Sequence, residues 1–150
     1  MRLLTLLALW LAMSAAMSAQ DPDAPAPPPP KPQPQGTIHI YRYKLEVARA
    51  THPAITCDTF PIVRIQNGRV YTMKVSVGRH EMTVAENPTP LSVDIEEGKE
   101  YFLRVDYPVN AAFGARPSLV VVPPDQGRDE IKRLRRLDGQ FIEAATCGKP

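Results

Sequence analysis

The stretch from Arg69 to Val77 alternates strictly, with Tyr71, Met73, Val75 and Val77 on one side and Thr72, Lys74 and Ser76 on the other. Side chains repeat every two residues only along a strand, so this pattern commits the segment to a sheet with one buried face. The same period returns at Leu91, Val93 and Ile95, which alternate with Ser92, Asp94 and Glu96. It returns again at Tyr101, Leu103, Val105 and Tyr107. His80, Met82 and Val84 share a parity opposite Arg79, Glu81 and Thr83. Thr37–Tyr43 and Thr59–Ile65 are rich in β-branched and aromatic residues, and Ser118–Val122 is a short apolar run. Asn67-Gly68 predicts a hairpin turn, because both residues accept the positive φ such turns need. Gly78 and Gly98 predict further turns, and Asn87-Pro88-Thr89-Pro90 a loop. Seven strands separated in this way predict an all-β fold, an antiparallel sandwich over residues 36–150.

Helical spacing occurs once, after Pro123-Pro124. Asp125 is placed to cap a short helix, Ile131, Leu134 and Leu137 mark one face, and Gly139 is placed to end it. Lys132, Arg133, Arg135 and Arg136 crowd its other face and last turn, where cations suit the helix dipole. A helix with one apolar stripe must lie across a sheet. Phe102 is out of phase with Tyr101, Leu103 and Val105, so it points to the outer face and offers a place to be covered.

The first 35 residues follow other rules. Met1-Arg2 is a minimal positive start, Leu3–Met13 is almost wholly apolar, and small residues gather over 14–19 before Gln20-Asp21. That order is a signal peptide, residues 1–19. Cleavage after Ser18 or after Ala16 puts a small residue, Ala16 or Ser14, at the −3 position. The apolar run has 11 residues, against about 20 for a spanning helix, so no membrane span is expected after cleavage. Residues 20–35 form a spacer in which eight of the fifteen residues from 21 to 35 are proline. Such a run is extended polyproline II, roughly 45 Å long at about 3.1 Å per residue. An exported chain, periplasmic or extracellular, is the expected product.

Loss of Arg2 leaves a formal charge of +1, from +2 for the whole chain, which is no match for a polyanion. Nucleic acid is therefore excluded as an expected partner. Two cysteines, Cys57 and Cys147, stand far apart and in no C-x-x-C pair. In an oxidising compartment they read as one structural disulfide, with two separate thiols as the alternative.

Catalytic chemistry is hard to assemble. His39, His52 and His80 form no paired-imidazole spacing, and His52 and Cys57 fit no ligand template. His80 follows a turn glycine with core parity, so a structural, hydrogen-bonded role is expected for it, as for Asn67, Gly68 and Gly78. The serines remaining after cleavage, Ser76, Ser92 and Ser118, sit in no nucleophile elbow, and no glycine-rich phosphate loop is present. No catalytic residue, cofactor or metal is expected, and the chain is read as a non-enzyme.

Four segments in order carry a resemblance. They are Gly68-Arg69-Val70-Tyr71, Val77-Gly78-Arg79-His80, Gly98 through Val105, and Val122-Pro123-Pro124-Asp125-Gln126-Gly127 with Glu130–Leu134. Together they are similar to bacterial domain-of-unknown-function family 2846, small exported β-sandwiches akin to PEGA-type domains. The likeness spans roughly 36–138, with one departure: Asp58-Thr59 stands where the family usually has Asp-Gly. The resemblance implies a fold and an exported location, and no catalytic residue. The expected function is a non-enzymatic interaction module of the cell envelope, its partner an envelope protein or surface. The alternatives are an inert domain held out by its spacer, and a hydrolase or metal-binding protein in which His39, His80 and an acidic residue converge.

Overall fold

The alternating segments separate into two sheets. A computed structural model describes residues 33–46, 48–108, 116–144 and 147. The predicted signal peptide, 1–19, and most of the predicted spacer lie outside the described residues. The strands are β1 (Gln35–Tyr41), β2 (Ala54–Cys57), β3 (Phe60–Arg64), β4 (Arg69–Ser76), β5 (Gly78–Val84), β6 (Asn87–Ile95), β7 (Glu100–Asp106), β8 (Ser118–Val122) and β9 (Arg135–Arg136). One helix, α1 (Pro124–Ile131), separates β8 from β9, and a 3-10 turn covers Gly139–Phe141. The sheet orders are β8-β7-β1-β4-β9 and β3-β2-β5-β6.

Several expectations need correction. Nine strands are described where seven were expected, because the sequence pattern marks no strand at β2 and places the residues of β9 in the helix. The five-stranded sheet is mixed: β1 runs parallel to β7, and β4 runs parallel to β9. Asn67-Gly68 is no hairpin turn, since β3 and β4 belong to different sheets. Its positive φ at Gly68, 70°, is as expected of the dipeptide, but turn chemistry does not specify which sheet the next strand joins. Residues 87–90 are strand rather than loop, and their prolines are tolerated because β6 is an edge. Gln35, assigned to the spacer, opens β1, and Val77 accepts no core place, being 45% exposed where the chain crosses between sheets.

The inner faces of both sheets share one core. Ile38 and Ile40 of β1, Met73 and Val75 of β4 and Leu103 and Val105 of β7 meet Ile55, Ile62, Met82, Val93 and Ile95 of the other sheet. A second, smaller cluster lies on the outer face of the mixed sheet, where Tyr41, Phe102 and Val122 are buried with Ile131 and Leu134 against them. Phe102 is fully buried there. Burial of such a side chain is worth about 1.5–3 kcal/mol.

The helix covers Phe102 through a glycine. A Cβ at Gly127 would stand 2.3 Å from the Phe102 ring, so only glycine lets the backbone approach this closely. The helix is shorter than its sequence pattern. Asp125 is not its cap but an exposed first-turn residue paired with Arg128, and Pro123 takes the cap position with Pro124 behind it. Leu134 and Leu137 lie beyond the helix end, and Gly139 starts the 3-10 turn. The reason is competition for hydrogen bonds. The amides of Arg135 and Leu137 donate to the carbonyls of Gly68 and Val70, completing the edge of β4 in place of another helical turn. Among the described residues no helix is long and apolar enough to cross a membrane.

Candidate functional site

Chemistry-bearing side chains gather where the hairpin β2–β3 meets β5 and the C-terminal tail. Cys57 and Cys147 are joined by a disulfide with a Cα–Cα separation of 5.3 Å. Cys57 is fully buried in β2, and Cys147 is half-buried. The tail reaches it along β3, where the amides of Glu143 and Ala144 donate to the Ile62 carbonyl and Tyr71 Oη donates to the Ala144 carbonyl. Closing a loop with a sequence separation of 90 residues is worth about 4.5 kcal/mol by chain entropy, as an upper bound.

His80 stands beside that disulfide. Its parity in β5 points it inward with Met82, and it is 8% exposed. Nδ1 lies 2.6 Å from Asp58 Oδ2, and Nε2 lies 3.0 Å from the Ser76 carbonyl. Asp58 Oδ1 accepts the Glu81 amide at 2.9 Å. Burial pushes the Asp58 carboxyl up, but the Glu81 amide and His80 outweigh it and hold the group below its ordinary range. One ring nitrogen of His80 and the two sulfurs lie within 4.8 Å of one another.

The turn that presents Asp58 is strained. Asp58 and Thr59 take φ of 49° and 74°, the left-handed pair of a two-residue hairpin. Threonine is branched at Cβ and resists that conformation. The two bonds to Asp58 hold the turn in place.

A second polar cluster lies under α1. Arg104 of β7 reaches both carboxylate oxygens of Glu130 at 3.1 Å and forks onto Asp106 at 2.6 and 3.0 Å. Tyr41 Oη and Gln126 Nε2 also donate to Glu130. Burial raises the Glu130 carboxyl, yet the donors Tyr41, Tyr43, Gln126 and Arg104 bring it down to about 2. A groove of about 790 Å³ opens beside this cluster, lined by Tyr43, Leu45, Gln126, Glu130, Arg133 and Leu134 among others.

The remaining sequence candidates fall elsewhere. His39 lies on the outer face of the mixed sheet, stacked on Phe102 at 4.6 Å, with Thr72 Oγ1 at 2.9 Å from Nδ1. Burial lowers its pKa against the opposing pull of Glu100. It shares no partner with His80. His52 is exposed and rests against Phe141. Asn67 brackets Leu45, accepting its amide and donating to its carbonyl at 2.9 and 2.8 Å. Gly78 begins β5 at a φ of 137°. Sequence reasoning missed Arg42, which is fully buried, donates to the carbonyls of Thr51 and Ala48, and lies over the Tyr107 ring at 4.3 Å. As a lone arginine within the expected strand Thr37–Tyr43 it gave no signal of burial. It also missed Asp58 as the partner of His80, since the two meet only through the β2–β5 pairing.

Comparison of the chain with protein-family models, with curated proteins and with solved structures gave no significant match. The resemblance stated above therefore rests on its sequence motifs alone.

Proposed function

We propose that the protein is an exported, non-enzymatic interaction module of the cell envelope, a β-sandwich that binds by accepting a partner's strand at β8. The observation that carries this is the contrast between sheet edges. The edge at β6 contains Pro88 and Pro90, which remove backbone donors. At β3 the edge contains Pro61 and is bridged by the tail through Val63 and Ile142. On the mixed sheet, β9 is a two-residue Arg-Arg strand. Short strands, prolines and charges are the usual protections against strand addition. The β8 segment, Ser-Leu-Val-Val-Val, has none of them, and Val120 and Val121 are 36% and 50% exposed.

The fitting partner is an extended segment of an envelope protein with β-branched side chains. Main-chain bonds would supply affinity, and alternate side chains would meet Val120 on one face and Val121 on the other. The disulfide and the sequence motifs akin to domain-of-unknown-function family 2846 support the exported β-sandwich part of this reading. The test is a photo-crosslinking residue at position 121 in the exported protein, with the same residue at Thr89 as the control on the opposite sheet. One defined adduct at 121, absent at 89 and lost when Val120→Lys is added, is the expected result. Equal adducts at both positions, or an adduct indifferent to Val120→Lys, would refute strand addition at β8.

A further inference from the structure

The strand edge leaves the sulfur cluster unexplained. Cys57, Cys147 and His80 come from β2, the tail and β5, and their ligand atoms already lie within 4.8 Å of one another. Two thiolates and an imidazole are a soft donor set, suited to thiophilic d10 cations. His80 also has the outer partner that metal-binding histidines characteristically have, a carboxylate on one ring nitrogen, which leaves the other for a cation. Asp58 occupies that place at 2.6 Å from Nδ1 and is itself fixed by the Glu81 amide. We propose that the reduced protein carries a metal site at Cys57, Cys147 and His80 for a thiophilic d10 cation, zinc(II) or copper(I), oriented by Asp58.

Formation of the site begins with a dithiol reductant. Its thiolate attacks the more accessible Cys147 sulfur, the S–S bond breaks, and Cys57 leaves as a thiolate. The reductant's second thiol then attacks its own sulfur in the mixed disulfide, releasing Cys147 and leaving the reductant as its disulfide. Two electrons pass from reductant to protein. The reductant's two thiol protons pass to solvent, and the cation bonds the two released thiolates. His80 binds as the neutral ring, with Nδ1–H held on Asp58 and the Nε2 lone pair taking the cation in place of the Ser76 carbonyl, any Nε2 proton passing to solvent. The Cα atoms, 5.3 Å apart, stay anchored in β2 and the tail, so the sulfurs part mainly by side-chain rotation.

The test uses the mature full chain, reduced, freed of reductant without oxygen, and offered zinc(II) or copper(I) before desalting. About one equivalent retained by the reduced protein and none by the oxidised protein is expected. Retention of either ion alone also supports the site and says which it takes. Asp58→Asn should weaken affinity about 10–100-fold against a competing chelator, and His80→Gln at least as much. Cobalt(II) added to reduced wild type should give a thiolate-to-metal charge-transfer band, a readout needing no variant. Loss of both ions on desalting, equal binding by the oxidised form, an unchanged affinity in His80→Gln, or no charge-transfer band would each overturn the proposal.

Discussion

The segment that follows β8 is attached to the sheets at two places that work by opposite means. Under α1 the attachment is fit and hydrogen bonding: Gly127 lies against Phe102, and Glu130 collects donors from Tyr41, Gln126 and Arg104. At the tail it is covalent, and the polar groups beside the disulfide serve a strained turn instead of a helix. A fitted contact tolerates no added atom but is indifferent to redox state. A covalent one tolerates imperfect packing but fails with a reductant. The two regions should therefore respond to different perturbations, which offers four ways to separate them.

The largest effect is expected at the covalent end. Converting Cys57 and Cys147 together to Ser should cost about 2–4 kcal/mol, below the entropic upper bound. For a domain of this size that is a Tm drop on the order of 10–20 °C by thermal melting. A drop under a few degrees would mean that the tail is held by its hydrogen bonds alone.

Gly127→Ala is the matching change at the fitted end. In an ordinary helix the substitution stabilises by up to about 1 kcal/mol. Here the added methyl meets the Phe102 ring, and overpacking should reverse the sign, costing about 1–3 kcal/mol in chemical denaturation. Stabilisation would show that the helix does not sit on Phe102.

Acid should loosen α1 before it touches the disulfide. Glu130 has a folded pKa of about 2 against an ordinary 4.5. A depressed carboxyl contributes stability that is fully present above about pH 4.5 and is lost as pH falls toward 2. Glu130→Gln should cost about 2 kcal/mol at neutral pH, and the difference from wild type should shrink through that acid window. A constant difference across the window would remove the charge from the explanation.

The smallest effect is at the turn. Thr59→Gly should relieve left-handed strain of about 1–2 kcal/mol and lose part of that to backbone entropy, leaving a net gain of about 0.5 kcal/mol. A loss on denaturant titration would mean that the Asp58 bonds, not the turn geometry, set the local energy.

How much of this was legible depends on the range of the interaction. Strands such as β4 and β7 were readable because alternation is local, as at Tyr71, Met73 and Val75. The outward parity of Phe102 was readable for the same reason, and it led to the helix that covers it. Sheet membership was not readable: Asn67-Gly68 has the chemistry of a tight turn, and only the core decides that β4 leaves the sheet of β3. The helix overran because Ile131, Leu134 and Leu137 all face apolar surroundings, although the backbone unwinds after Ile131 to pair with β4. At the candidate site, the cysteine pair was open to reasoning by count and compartment. The approach of His80 and Asp58 required the pairing of β2 with β5, which no local pattern reports.

Hydrogen exchange of the oxidised and reduced protein, read by peptide, shows whether the two attachments are independent. Local opening is free to differ between parts of a fold. Reduction should lower protection in β2, β3, β5 and residues 139–144, while β1, β7 and α1 keep theirs. Equal loss across all of these segments, or loss in α1 ahead of β3, would contradict that independence.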